Sequence, residues 1–366
     1  MDATPLLGRR TGIGRYVQQL LIALPGLFPD DDVTATAFTL RGAGNLGDAV
    51  PPGVSVRARP APARALRAAW QRTEWPPVEL LTGRLDVFHG TNFVLPPARA
   101  RGVLTVHDLA YLLHRDTVSA DSARLRELVP RGLARAGVVC VPSASVAAEV
   151  QETYRLAADR VAVTPLGVDA AWAGATELPR DRLVALGLDR PYLLFVGTLE
   201  PRKNLGVLLR AFAAVCAADP DGPLLALAGP AGWGEAADVP AAASGRVVRL
   251  GYLDESDLRG IVAGARALVF PSVYEGFGLP PLEAFAAGVP VVASDIPTTR
   301  ETVGAHPDLA RLVPVTDVEA LAAALTEDWS DAGEPDRRER RRAVAAPYTR
   351  TATAELTRQA YERAAA

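Results

Sequence analysis

Short apolar runs alternate with longer Ala-, Leu- and Arg-rich segments of helical period along nearly the whole chain, an order that commits it to βα units building parallel sheets. Strands are expected at 33–40, 54–57, 86–89, 103–106, 137–141 and 161–165, with helices such as 14–24 and 145–154 between them. A second series runs 192–197, 224–229, 247–250, 267–271 and 291–294, with helices at 204–218, 254–265, 281–287 and 318–328. The patterning lapses between Gly167 and Arg190, where Pro179 and Pro191 punctuate the chain. A length of 366 residues suits two cores better than one. The expected fold class is α/β, with doubly wound domains at 1–170 and 191–345 and a linker at 171–190. The last segment, 346–366, reads as a closing helix from 349 onward that packs back on the first domain.

Composition narrows the function classes. A chain that is 49% hydrophobic and 22% charged folds, and its net charge of −3 disfavours a role in coating nucleic acid, which needs a basic surface. Cys140 and Cys216 lie in apolar runs far apart in sequence, as reduced buried thiols do, so no disulfide scaffold is expected. No apolar run is long enough to span a bilayer, and the first residues lack the plan of a signal peptide. The expectation is a cytoplasmic protein.

Two basic stretches interrupt this ordinary surface. Residues 57–75 carry Arg57, Arg59, Arg64, Arg67 and Arg72 with Trp70 and Trp75, the composition of an interfacial helix docking on anionic lipid at the inner face of a membrane; alternatively, Trp70 is core. Residues 335–346 carry Arg337, Arg338, Arg340, Arg341 and Arg342, which read as a solvated helical face or as an anion or membrane patch.

Ligands of doubly wound sheets bind beyond the carboxyl ends of strands, so the turns after strands hold the candidate chemistry. After 192–197 comes Gly197-Thr-Leu-Glu-Pro-Arg202-Lys203-Asn204, opening a helix. Glycine permits close approach of a ligand, and Arg beside Lys offers a planar fork and a compact charge to a diphosphate. Cations at a helix N-terminus oppose its dipole unless an anion lies between them, although a solvated helix start is the plainer alternative. Of the 39 basic residues Lys203 is the one lysine, which sets this loop apart.

After 267–271 follow Glu275, Gly276, Phe277, Gly278, Leu279 and, in the next helix, Glu283. The glycines expose amides, prolines open the helix, and two carboxylates reach one strand-end edge, where they can accept hydrogen bonds from vicinal hydroxyls of a sugar or ribose. Glu283 is placed in the first helical turn, where an acid is also favourable with no ligand at all. In the first half, Thr11-Gly12-Ile-Gly14-Arg-Tyr16 opens a helix but lacks the third glycine of a dinucleotide fingerprint. His89-Gly90 and His107-Asp108 end strands and are either structural or directed at substrate. The Asp-rich turns 30–32 and 219–221 read as solvated loops, and neither zinc spacing nor a Gly-Lys-Ser/Thr phosphate loop occurs, so no metal is expected.

These motifs together resemble the retaining GT-B glycosyltransferases of family 4, in particular its mannosyltransferase-like members. The resemblance runs through 11–16, 86–90, His107-Asp108, Pro165-Leu-Gly-Val-Asp169, 197–204, Gly251-Tyr252-Leu253 and 271–292. The Glu275-x7-Glu283 element beside Arg202-Lys203 is its most specific part. The resemblance implies two Rossmann-like doubly wound domains facing across a cleft, with a nucleotide diphosphate sugar in the second and the acceptor in the first. It implies that Arg202 and Lys203 bind the diphosphate, Glu275 the sugar hydroxyls and Glu283 the ribose, with Gly276, Phe277, Gly278 and Leu279 along the same donor site. Gly12 and Gly14 would close over the diphosphate, His107 would reach the donor sugar, and Gly197, Gly229, Tyr252 and Leu253 would flank the nucleotide. The implied reaction is metal-independent transfer of a hexose, mannose favoured, from GDP-mannose or another nucleotide sugar to a glycan, lipid-linked or small-molecule hydroxyl. A sugar-nucleotide epimerase and a non-catalytic nucleotide-sugar-binding partner subunit are the alternatives. Against the family pattern, most of a first strand ending at Asp2-Ala3 is expected to be missing, and Ala144 and Ala148 stand where polar residues are more usual.

Overall fold

Two sets of parallel strands organise the chain in a computed structural model, which describes residues 1–8, 12–40, 43–233, 237–327, 329 and 334–366. They belong to two compact units. The first comprises residues 1–115, 120–167 and 348–366, and the second residues 116–119 and 168–347.

In the first unit, β1 (Thr34–Ala35) pairs with β2 (Ser55–Val56), while β3 (Val87–Gly90), β4 (Arg101–Thr105), β5 (Ala136–Val141) and β6 (Val161–Val163) form a parallel sheet in that order. Residues 1–3 join the two. Asp2 N–H donates to His89 O at 2.9 Å on one side, and on the other Ala3 N–H donates to Thr36 O and Thr36 N–H to Met1 O. The strand expected over 33–40 is shorter than its apolar pattern, because beyond the Asp2–Thr36 bridge the backbone leaves the ladder. Helix Gly12–Leu27 buries Tyr16, Val17, Leu20, Leu21 and Leu24, the one-face spacing that its sequence prescribes. Thr11, which opens that motif, lies outside the described residues.

The chain's last helix, Arg350–Ala365, completes this unit. Thr349 caps it by accepting from Ala352 N–H, and the helix lies against β5 and Gly12–Leu27. Gly137 and Gly167 admit it: a Cβ on Gly167 would stand 2.4 Å from Arg350 N. Tyr361 hydroxyl bonds His89 Nδ1 at 2.8 Å, and His89 Nε2 bonds Thr105 Oγ1, which also meets the Tyr16 hydroxyl at 3.0 Å. Replacing Tyr361 by phenylalanine keeps the ring and strands a buried imidazole nitrogen, so we expect a loss of about 1–3 kcal/mol in urea unfolding.

Burial, with the N-terminal ammonium and His107 nearby, pushes His89 down from 6.5 to about 3. The unfolded chain therefore takes up a proton near pH 6.5 that the folded chain refuses until about pH 3, so stability falls as the pH drops through that window. The urea midpoint should be lower at about pH 5 than at about pH 7.5, and the difference should shrink in His89→Gln; an unchanged slope in that variant would remove His89 as the cause.

The second unit is a six-stranded parallel sheet in the order β12-β11-β10-β7-β8-β9. Its strands are β7 (Tyr192–Val196), β8 (Leu224–Ala228), β9 (Val247–Gly251), β10 (Ala267–Phe270), β11 (Val291–Ser294) and β12 (Ala310–Val313). Every residue of β7, β8, β10 and β11 is buried, as expected where helices cover both faces. β7 and β10 are neighbours in space but not in sequence, so the winding reverses between them. Helix Pro335–Ala345 departs from a simple solvated face, because Arg341 is completely buried with Nη1 donating to Gly288 O. Burial pushes its guanidinium down to about 10. Among the described residues no helix is long and apolar enough to cross a membrane.

Candidate functional site

The reversal between β7 and β10 brings the loops after these two strands together, the position where doubly wound sheets hold ligands. The first loop makes a short turn, Pro201–Lys203, and Asn204 then takes a left-handed conformation (φ 55°) before helix Leu205–Ala218. Asn204 Nδ2 ties that corner to Pro271 O at 3.1 Å and to Val315 O at 2.9 Å, and Val273 N–H donates to Arg202 O. The backbones of 201–204 and 271–275 are therefore laced together before any charge is considered.

Arg202, Lys203 and Glu275 meet there. Glu275 Oε1 accepts from Lys203 Nζ at 2.5 Å and Oε2 from Arg202 Nη1 at 2.8 Å; the same Nη1 donates to Tyr274 O. Arg202 Nη2 pairs with Glu200 Oε1 at 3.0 Å, and Lys203 Nζ stands 5.3 Å over the Phe270 ring. Burial alone would raise the Glu275 carboxyl, but Arg202 and Lys203 outweigh it and hold the group well below the usual carboxylate range. Glu200 goes the other way, raised by burial against the pull of the same two cations. Two cations and two carboxylates thus form a neutral, mostly buried cluster whose charges an incoming anion would redistribute.

Glu200 is the functional candidate that the motif reading passed over. Its signal was its place two residues before Arg202 on an extended stretch, which gives no helical or strand periodicity to read. The placement of Glu283 also needs correction: the helix runs Leu279–Ala286, two residues earlier than its prolines suggest, because Gly278 at φ 97° forms its N-cap. Glu283 therefore lies beyond the first turn, buried, rather than serving as a first-turn acid. Phe277 and Leu279 are buried, and Gly276 and Gly278 lead from Glu275 into this helix.

Beside the cluster, the strand ends of β7, β8 and β9 are stitched in series. Gly197 N–H donates to Ala228 O and Gly229 N–H to Gly251 O at 2.7 Å, with Tyr252 and Leu253 following directly. Tyr252 is about half exposed. Gly197, Gly229, Tyr252 and Leu253 therefore share one edge of the second unit with Arg202, Lys203 and Glu275.

Gly12, Gly14 and His107 belong to the first unit. Gly12 begins its helix and Gly14 is buried in the first turn. His107 is buried, donates Nε2–H to Thr91 O at 2.8 Å, and packs edge-on against Tyr16 and Phe93. Because that carbonyl can only accept, Nδ1 is the unprotonated ring nitrogen, and burial pulls the imidazole below its ordinary range. Thr91 Oγ1 in turn donates to Asp2 O, so His107 is fixed to the centre of the sheet. Cys140 and Cys216 are both free and buried. Among the described residues no group of three or more His, Cys, Asp or Glu is disposed to hold a metal ion.

Comparison with known proteins agrees with this architecture. Residues 10–172 match Glycosyltransferase Family 4, and residues 190–331 match Glycosyl transferases group 1. The O-antigen chain mannosyltransferase B of Escherichia coli is 32% identical over 259 residues, 67% of this chain and 65% of that protein. A glycogen synthase of Mycobacterium tuberculosis is also 32% identical, over 76% of this chain and 69% of its own length. Several other relatives are matched over less than half of their length, such as the E. coli serotype-specific mannosyltransferase WbdA over 29%. Among solved structures, the sucrose-phosphate synthase of Thermosynechococcus elongatus superposes with a TM-score of 0.73 at 20% identity, over 99% of this chain and 97% of that one. The chain thus has the GT-B fold and belongs to glycosyltransferase family 4.

Proposed function

We propose that this protein is a retaining, metal-independent glycosyltransferase that moves a hexose from a nucleotide diphosphate sugar to a hydroxyl acceptor, with GDP-mannose as the donor. The observation that carries the reading is the Arg202–Lys203–Glu275 cluster at the winding reversal of the second unit. Mannosyltransferases among the relatives support mannose over other hexoses. Arg202 and Lys203 would bind the diphosphate and stabilise the charge that grows on it as the glycosidic bond breaks, which lowers the barrier without a metal ion. Glu275 would orient the sugar through its hydroxyls and Glu283 would hold the ribose, while His107, Gly12 and Gly14 would serve from the first unit. The acceptor hydroxyl would attack from the face that the diphosphate leaves and pass its proton to a leaving-group oxygen.

The test is a thermal-shift panel of GDP, UDP, ADP and their sugars, with and without EDTA, because a ligand of the folded state raises its apparent stability. A shift selective for GDP-mannose and indifferent to EDTA is expected; no shift with any nucleotide for the folded protein would overturn the reading. Lys203→Ala should weaken donor affinity by about 1.5–3 kcal/mol, the range for hydrogen bonds to charged groups. Unchanged affinity in that variant would remove the diphosphate from this loop.

A further inference from the structure

Glu200 belongs to the charged cluster but has no task in the proposed transfer. Its backbone is fixed on both sides: Glu200 N–H donates to Thr198 O at 2.9 Å, Lys203 N–H donates to Glu200 O at 3.0 Å, and Leu199 before it is laced to Pro230 and Gly232. Only its side chain can yield. That side chain is buried, and its ionic contact runs from Oε1 to Arg202 Nη2 at 3.0 Å. Glu275 is gripped harder, through both oxygens and by both cations, at 2.5 and 2.8 Å.

An incoming diphosphate meets Arg202 where Glu200 already is. Both hydrogens of Nη1 are committed, to Glu275 Oε2 and Tyr274 O, so a phosphate gripped at two points must enter along the guanidinium edge that runs through Nη2, where Glu200 sits. Two anions then compete for one edge in a mostly buried place. The cluster is neutral before the diphosphate arrives and carries excess negative charge afterwards, and like charges at close quarters drive one acid to its protonated form. Glu200 is the acid that yields: burial already raises its carboxyl and Arg202 and Lys203 offset that only in part, whereas the same two cations hold Glu275 down. The charged groups that face Glu200 among the described residues are Arg202, Lys203 and Glu275; the turn 230–232 and the first turn of helix Leu205–Ala218 carry none.

We propose that Glu200 is the resting counter-ion of Arg202, that the diphosphate of the donor displaces it, and that the displaced carboxylate takes up a proton from solvent. This role rests on the donor site proposed above, and the return of the carboxylate to Arg202 serves release of the nucleoside diphosphate after transfer. The experiment is titration calorimetry of the full chain with GDP-mannose, in two buffers of different ionisation enthalpy at each of several pH values. Both phosphates of this probe are esterified, so its own charge stays constant across the range. Net proton uptake is expected on binding to the parent, with affinity falling as the pH rises, because a complex that holds more protons than its free parts is favoured by acid. Glu200→Gln should bind GDP-mannose about tenfold more tightly, the lower end of what a hydrogen bond to a charged group contributes, and should lose the proton uptake. Glu200→Asp keeps a carboxylate and should keep the uptake. A residue needed only for folding would weaken binding when replaced. Equal or weaker binding by Glu200→Gln, or undiminished uptake in it, would overturn the proposal. So would binding by the parent without uptake, a measurement that stands even if the variant does not fold. Failure of parent and Glu200→Gln alike to bind GDP-mannose, GDP or UDP would take down the donor site itself, and this role with it.

Discussion

Glu275→Ala should destabilise the protein by about 3–5 kcal/mol, the effect of removing one partner from a buried charge pair, and should abolish transfer. Arg202 retains Glu200 as a partner, but Lys203 is left without its carboxylate in a mostly buried position. Glu275→Gln keeps the shape and one acceptor but not the charge, so it should fall between the parent and alanine. The proposed role of the cations adds a sharper expectation. In the parent, a diphosphate must share Arg202 and Lys203 with Glu275; in the alanine variant it would replace a missing partner. A nucleoside diphosphate should therefore raise the thermal midpoint of Glu275→Ala more than that of the parent, even though the variant transfers no sugar. If it raised the variant's midpoint no more than the parent's, Arg202 and Lys203 would not be the diphosphate cradle.

The second unit's sheet was the most legible part of the chain, for a physical reason. β7, β8, β10 and β11 are buried on both faces and so read as unbroken apolar runs, each found within a residue or two of its observed ends. β12 was missed because an edge strand covered on one side carries Arg311 and breaks the run. Helix Leu125–Arg135 runs through Pro130 in its interior, and the strand expected over 33–40 read too long because its hydrophobicity outlasts its hydrogen-bonded partner. At the site, residue type together with a place just after a strand marked Arg202, Lys203 and Glu275. What linear reading could not supply was the mutual neutralisation of Lys203 and Glu275, 72 positions apart, which depends on β7 and β10 becoming neighbours. Trp70 and Trp75 make the same point, since five positions separate a core residue from an exposed one.

The other large effect is expected from one hydrogen atom's worth of space. Gly229 lies at φ 144°, and a Cβ added there would stand 2.0 Å from Gly197 O and 2.7 Å from its carbonyl carbon, both rigid backbone. Gly229→Ala must therefore push apart the ends of β7 and β8, where Gly197 N–H donates to Ala228 O and Gly229 N–H to Gly251 O. Strain at φ and backbone crowding together should destabilise the unit by about 3 kcal/mol or more. The displaced turn begins the loop that carries Arg202 and Lys203, so nucleotide affinity should fall in the same variant. Gly245→Ala separates the two causes. Gly245 also has a positive φ, 80°, but nothing lies within 4 Å of its would-be Cβ, so only backbone strain of about 1–3 kcal/mol should appear and nucleotide binding should be unaffected. Equal losses in the two variants would mean that the β7 and β8 ends can yield, and that the close approach of Gly229 to Gly197 does not hold the loop carrying Arg202 and Lys203 in place.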